Sequence, residues 1–440
     1  MKQELYDLTD RVVKTTKAAG AKDCRVTTQA ERRVEIAYRD RRPETIKEAS
    51  TRTVNVEIFV DGRYSSQTTS DLRPEALKPF LENAVAATKL LAEDPFRTLP
   101  DPKYYRGRSA ADLKLADPAI GSVIPAQLHD FAKALEASCL EHGGDKVISA
   151  EARSILSSAE SVLMASNGLD GYAGSTGCYG GVSLSLKDEG DRRPSEFAGA
   201  AAIAFKDLPK PEAIGAEAAR RTLERLGARK VKTETLPVIV ENRVVGQLGG
   251  GLLQALFGRA VQQKQSFLAD KKGQPVASPL LTFIDDPLLV GGFGSSPFDQ
   301  EGLAARKRVM IGAGVLRDFF VDWYYSRKLG WEPTTGGPSN MIIPPGKRPV
   351  AEIMKDLGRG IFITGFIGGN SNSTTGDMSI GITGQLFDKG LPVQAVEEMN
   401  IADNHLKLWP KLIEVGNDPY PYSPRYFPSL VFKDIIVSGV

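Results

Sequence analysis

The chain has 440 residues, 41% hydrophobic and 25% charged, a globular balance with room for two or three domains and a sizeable core. Its 56 basic and 54 acidic side chains nearly cancel to a formal charge of +2, which excludes a broad electrostatic footprint for nucleic acid. Cys24, Cys139 and Cys178 are odd in number and far apart, which argues against a disulfide framework, fits a reducing compartment and leaves each as a small, largely buried apolar residue.

The first segment, residues 3–20, reads as an amphipathic helix with Leu5, Leu8, Val12 and Val13 on one side, ending at Gly20. It lacks the apolar core of a signal peptide, and no apolar run is long enough to span a membrane, so a soluble cytoplasmic protein is expected. Alternating segments follow at Cys24–Gln29, Arg33–Tyr38, Glu44–Ser50 and Thr53–Val60. The last turns at Asp61-Gly62, a strong hairpin signal, into Tyr64–Thr69. A helix is predicted over Pro74–Leu91. The proline-bearing stretch 92–124 reads as a linker.

The same order then returns. A helix over Pro125–Glu141 precedes strands at Lys146–Ser157, Ser161–Ser166, Gly171–Gly174, Gly180–Lys187 and Ser195–Phe205, with Asn167-Gly168 as a turn. A helix over Pro211–Leu226 closes the unit at Gly227. Two passes through helix, antiparallel strands and helix predict an internal duplication. From Leu236 onward glycine and proline are dense and the predicted strands short: Pro237–Val240, Leu281–Ile284, Val309–Ile311, Val315–Tyr325, Ile361–Ile367, Ser379–Phe387, Leu391–Val396 and Ser429–Val437. Helices are expected at Val244–Val261 and Val350–Leu357. The predicted class is α+β: duplicated repeats at 1–91 and 125–230, then a mainly antiparallel β domain at 236–440.

Zinc hydrolases need about three protein ligands, often two histidines one helical turn apart. The histidines here are His129, His142 and His405, and no two are so spaced. His129 falls in a predicted helix, His142 at its end, where a cation suits the carbonyls, and His405 in a polar turn. Gly294-Ser295-Ser296-Pro297 does not match the Gly-x-Ser-x-Gly nucleophile elbow and no histidine lies near it in sequence, so a Ser-His-Asp triad assembled in space and a Ser/Lys pair both stay open, the triad disfavoured by the scarcity of histidine. Gly246–Gly251 follows a strand and opens a helix but lacks both nucleotide-loop patterns, so its glycines mark close packing or a bend. The most unusual run is 361–381, where an apolar alternation gives way to a polar loop with Asn370, Asn372, Thr374 and Asp377. It reads first as a hairpin with a long ordered loop, and second as a groove for extended peptide with Asn370, Asn372 and Asp377 as candidates.

Several segments carry a specific resemblance. Glu241-Asn-Arg-Val-Val-Gly, Ser266-Phe-Leu-Ala-Asp, Gly294-Ser-Ser-Pro-Phe-Asp-Gln-Glu-Gly, Gly365-Phe-Ile-Gly-Gly-Asn, Thr375-Gly-Asp-Met-Ser and the ending Pro428–Gly439 resemble the TldD/PmbA family, also called the modulator of DNA gyrase family. Val54–Val60 with Asp61-Gly-Arg-Tyr resembles its first-domain hairpin. The resemblance implies a two-subunit zinc protease acting on unfolded or leader peptides, in which one subunit bears a helical His-Glu-x-x-x-His motif and a cysteine near its end. Here Gly250 and Ala255 fall at the histidine positions, Gly251 at the glutamate and Phe427 at the cysteine. The chain therefore resembles the PmbA (TldE) subunit, with no catalytic residue, metal or other cofactor of its own. The implied partners are a zinc-bearing TldD-like subunit and a peptide, with a homodimer where that subunit is absent. Competing readings are a homo-oligomeric peptide-binding or scaffold protein and an independent Ser or Lys hydrolase.

Overall fold

The computed structural model describes residues 2–440. The first half is built twice: α1 (Lys2–Ala18), β1 (Asp23–Arg39), β2 (Arg42–Val60), β3 (Arg63–Thr69) and α2 (Pro74–Thr88), then α3 (Pro125–Gly143), β4 (Val147–Ala165), β5 (Asp170–Leu186), β6 (Ser195–Ala202) and α4 (Pro211–Leu223). Helices α2, α3 and α4 each open on a proline, whose missing N–H would be unpaired there in any case. The six strands form one sheet in the order β3-β2-β1-β4-β5-β6, antiparallel throughout. Reading outward from the β1–β4 seam, each half is the same three-strand meander, so the duplication is joined edge to edge. Val34, Leu128, Leu135, Leu156, Leu184 and Ala218 fill one core between sheet and helices, and Val12, Val26, Val56, Leu81 and Val85 fill another.

The strand segments expected at 24–38 and 44–60 are two long strands, and those at 146–166 and 171–187 are two more. Almost all of 42–52 in β2 is exposed, so its side chains carry no in–out hydrophobic alternation to mark the strand. Asp61-Gly62 takes the two positive φ values, 48° and 70°, that a tight hairpin turn needs.

The second half contains β7 (Glu234–Val240), α5 (Val245–Leu248), α6 (Gly250–Ala255), α7 (Gly258–Gln262), β8 (Phe283–Asp285), β9 (Arg308–Gly312), β10 (Val315–Leu316), α8 (Trp323–Leu329), β11 (Met341–Ile342) and α9 (Val350–Leu357). It ends with β12 (Gly360–Ser371), β13 (Asp377–Asp388), β14 (Leu391–Asn404), α10 (His405–Leu408), β15 (Leu412–Val415), β16 (Arg425–Tyr426) and β17 (Leu430–Ser438). The main sheet runs β14-β13-β12-β7-β17-β15, and β14 also pairs β17 at Asn400–Ser438 and Ile401–Val437. Those contacts close β14, β13, β12, β7 and β17 into a ring, a barrel-like solution that protects strand edges. A smaller sheet, β10-β9-β8-β11-β16, lies beside it. Residues of α5 and α6 (Val245, Leu248, Leu252, Ala255) share one core with Val238, Ile361 and Phe432 of the ring.

Two expectations here need correction. The single helix over Val244–Val261 is three short ones. Phe257 is extended (φ −83°, ψ 134°) and bridges Phe320, while Gly258 N donates to Phe320 O at 2.7 Å, so a strand-like contact outcompetes the helical ladder. The strand over Val315–Tyr325 stops after Leu316. Asp322 accepts a bond from Tyr325 N as the cap of α8, and Gly330 ends that helix in the left-handed region.

Candidate functional site

The positions that the resemblance assigns to zinc lie on α6 and beside β17. Gly251 is buried, and a Cβ built on it would sit 2.0 Å from Ser371 Oγ and 2.5 Å from His405 Nε2. Position 251 can lack a side chain because that volume is already taken. Gly250 has open space where its Cβ would be. Ala255 is fully buried, and its carbonyl accepts a bond from Ser266 Oγ at 2.6 Å. Phe427 is buried, packs edge-on to Phe283 and lines a narrow apolar cavity of about 40 Å³ with Gly249, Leu252, Leu253 and Trp409.

His405 is the group that fills the space beside Gly251. The expected polar turn is instead the start of α10, capped by Asn404, with the imidazole 0% exposed. Asn404 leaves β14 in an extended conformation, and the helical turn after it swings His405 inward. The ring lies nearly parallel to Phe267 (centroids 5.6 Å, 3°) and to Trp409 (6.5 Å, 12°). Trp409 Nε1 donates to His405 Nδ1 at 3.1 Å, and His405 Nε2 lies 2.8 Å from Ser371 Oγ. Indole N–H is only a donor, so Nδ1 accepts and the neutral ring carries its proton on Nε2. That proton points at Ser371. Burial pulls the imidazole pKa down to about 4, with Asp403 only partly opposing the shift, so the ring is neutral at physiological pH. A serine next to such a ring gains no general base, because the nitrogen facing it is already protonated. The Ser–His contact is thus a fixed packing element.

Ser371 comes from the hairpin singled out in the sequence. β12 and β13 pair Asn370 with Ser379 and Ser371 with Met378, and a bulge precedes them where Gly368 and Gly369 both have positive φ. Period-two alternation turns Ser371 inward and leaves Asn370 and Asn372 exposed. Asn372 Oδ1 accepts from Thr374 N at 2.8 Å, and Asn372 N donates to Asp377 O at 2.8 Å, so the expected long loop is a tight turn. Asp377 accepts from Asn404 Nδ2 at 2.8 Å, a bond that holds its carboxyl below the ordinary aspartate range. Asn370, Asn372 and Asp377 therefore cluster at one exposed hairpin end, directly outside the Ser371–His405 contact. His129 packs edge-on to Tyr38, and His142 Nδ1 meets Ser138 O at 2.8 Å, both on α3 and away from this site. Ser295 and Ser296 have their hydroxyls bonded to the main-chain oxygens of Leu289 and Phe298.

Three domain models named for the PmbA/TldA metallopeptidase match the chain: domain 1 at residues 26–88, the central domain at 118–226 and the C-terminal domain at 233–439. The metalloprotease PmbA of Escherichia coli is 30% identical over 414 residues, covering 92% of this chain and 90% of that protein. The chain belongs to the PmbA/TldD family. A PmbA homologue of Haemophilus influenzae is 25% identical over 450 residues, covering 99% and 96%. A crystal structure of a Bacteroides thetaiotaomicron protein named as a modulator of DNA gyrase superposes with a TM-score of 0.96 at 33% identity, covering 99% of each chain. TldE from Thermococcus kodakarensis has the same fold, with a TM-score of 0.87 at 21% identity over 98% of this chain and all of that one.

The PmbA/TldD relatives are named metalloproteases, which implies a metal. The residues here do not fit one. Gly250, Gly251, Ala255 and Phe427 offer no side-chain nitrogen, oxygen or sulfur. The one imidazole beside them has both nitrogens bonded and is buried between aromatic rings. Among the described residues, no three His, Cys, Asp or Glu side chains come together in a metal-holding group.

Proposed function

We propose that this chain is the non-catalytic, zinc-free subunit of a TldD/PmbA-type heteromeric metalloprotease that processes or degrades unfolded or leader peptides. The observation that carries the reading is the filled pocket at Gly251, where His405 and Ser371 occupy the volume that a side chain at that position would need. Hydrolysis by a zinc protease requires a metal-bound water and a base, and this pocket holds neither donor set nor base. The relatives named metalloprotease PmbA, and the likeness to TldE, support membership of such a system.

In this reading the partner supplies zinc, and this chain completes the peptide cavity. The exposed hairpin end with Asn370, Asn372 and Asp377 offers amide and carboxylate groups to a peptide backbone. The test is reconstitution of the purified chain with a His-Glu-x-x-x-His homologue from the same cells. The expected result is peptide cleavage by the mixture and none by this chain alone. Stoichiometric zinc held by the isolated chain, with turnover that a chelator abolishes, overturns the reading. Unchanged substrate affinity and turnover in Asn370→Ala and Asp377→Ala complexes would remove the hairpin from it.

A further inference from the structure

A second chemically dense region lies away from the α6 site, where the N-terminal sheet meets the smaller C-terminal sheet. A cavity of about 500 Å³ is lined by Arg25 of β1, Glu57 of β2, Asp285 of β8, Arg308 of β9, Asp322 before α8, and Asp299 and Glu301 of the Gly294–Gly302 segment. The lining holds two guanidiniums and five carboxylates, so acidic groups outnumber basic ones by three.

The pairing inside is incomplete in a specific way. Arg25 is committed to Glu57 at 2.6 Å and reaches Glu301 only at 3.8 Å. Arg308 donates to the main-chain oxygens of Arg306 and Thr334 rather than to a carboxylate. Asp285 is 0% exposed; Ser339 N and Oγ both bond its Oδ1, and its Oδ2 has no partner. Asp299 follows the pattern in part: Oδ1 accepts from Glu301 N and Leu303 N, the main-chain N–H of Gly336 also acts on the carboxylate, and Oδ2 is buried with no direct hydrogen bond. Each aspartate is thus clamped by one oxygen while the other is left free. A buried acceptor without a donor is costly, and native proteins rarely leave two in one cavity without a group to meet them.

We propose that this interdomain cavity binds an organic cation bearing several N–H donors, a guanidinium or primary ammonium group, through the free Asp285 and Asp299 carboxylate oxygens. A compact metal ion fits less well, because the carboxylates do not converge into a three-ligand group. A guanidinium presents five N–H donors in a planar fork and reaches acceptors held on separate elements. Because β8 and the Gly294–Gly302 segment belong to one half of the chain and Arg25 to the other, an occupant would also tie the two halves together. The cavity shares no lining residue with the apolar pocket beside α6, so the inference stands whether or not a protease partner exists.

The same chemistry has two sources, a free small cation or a Lys or Arg side chain of a peptide. Calorimetric titration of the full chain with agmatine, with a peptide bearing one central arginine, and with that peptide carrying norleucine instead distinguishes them. Saturable binding of agmatine alone assigns a free ligand. Binding of agmatine and the arginine peptide, but not the norleucine peptide, admits a side chain. Asp299→Asn is expected to weaken binding about tenfold or more, since it removes a charge-assisted bond while preserving shape. Asp285→Asn, which keeps an acceptor for Ser339, is the second variant should the first fail to fold. No saturable binding by agmatine or the arginine peptide overturns the proposal. So does binding of Mg²⁺ or Ca²⁺ without response to either guanidinium compound, or full affinity in both asparagine variants.

Discussion

Adding one methyl group at Gly251 probes the filled pocket directly. In Gly251→Ala the new carbon would lie 2.0 Å from Ser371 Oγ and 2.5 Å from His405 Nε2, both far inside contact distance. The serine hydroxyl can rotate away. The imidazole cannot do so easily, because Trp409 holds Nδ1 and two aromatic rings stack on it. Overpacking costs about 1–3 kcal/mol, and the lost Ser371–His405 bond about 0.5–1.5 kcal/mol. Helix propensity returns about 1 kcal/mol. The net expectation is a loss of about 1–3 kcal/mol in urea unfolding. Gly250→Ala, one residue earlier with nothing within 4 Å of its Cβ, should be neutral or slightly stabilising. His405→Ala alone leaves a cavity and an unpaired indole N–H, at a cost of about 2–4 kcal/mol. In the double variant the methyl at 251 enters the vacated space, so the two losses should fall short of their sum by about 1 kcal/mol or more. Additivity within about 0.5 kcal/mol, or a Gly251→Ala protein as stable as Gly250→Ala, would refute the filled-pocket argument.

Three of the other predictions concern buried titrating groups. His405 binds its proton near pH 4 when folded and near 6.5 when unfolded, so its contribution is intact above 6.5 and declines as pH falls toward 4. The decline amounts to about 3 kcal/mol and should be missing from the pH–stability profile of His405→Gln. Glu301 has the opposite sign: burial raises its carboxyl from 4.5 to about 7, against the pull of Arg25. The fold retains a proton that the unfolded chain releases, so stability falls as pH rises from about 4.5 to about 7 and then levels, and Glu301→Gln should flatten that fall. Burial lifts the thiols of Cys24 and Cys139 to about 12 and that of Cys178 to about 11, so a thiol reagent should label them slowly at pH 8 in the folded protein and rapidly in denaturant. Asn372→Ala removes the acceptor for Thr374 N and should raise amide exchange at residues 372–376 without unfolding the barrel.

Much of this architecture was legible where local chemistry and tertiary packing agree. Pro74, Pro125 and Pro211 mark three helix starts, Asp61-Gly62 marks a hairpin, and the helix expected at Val350–Leu357 is α9 residue for residue. The repeated element order foretold the two-part sheet. The failures have two causes, long-range contact and an apolar run that fits either helix or strand. Phe320 breaks the helix near Phe257 from far along the chain. Asp322 and Gly330 carry the capping signals of α8, but the apolar run Val315–Tyr325 reads equally well as a strand. At the candidate site, the hairpin end with Asn370, Asn372 and Asp377 was visible as an unusual polar run. The inward role of Ser371 and the burial of His405 were not. The spacing of His405 and Trp409, one helical turn apart, was the available signal. The interdomain cavity was out of reach, because Arg25, Asp285, Asp299 and Arg308 meet only after both halves fold.

The two polar regions differ in one respect that bears on function. Around Gly251, both imidazole nitrogens, the Trp409 indole and the Ser371 hydroxyl are paired with one another. Both imidazole nitrogens and the indole N–H are thereby used, and opening the network leaves buried groups unpaired. Replacing Gly251 with a glutamate therefore cannot by itself rebuild a hydrolytic site: its side chain would first have to expel His405, and Ala255 and Phe427 would still provide no donor. The interdomain cavity is the converse, with Asp285 and Asp299 each held by one oxygen and free at the other. Unmet hydrogen-bonding capacity in a rigid frame is what a binding site has and a packed core lacks. On that criterion the α6 region serves this chain as structure, and the junction between its halves is where a small partner has room to act.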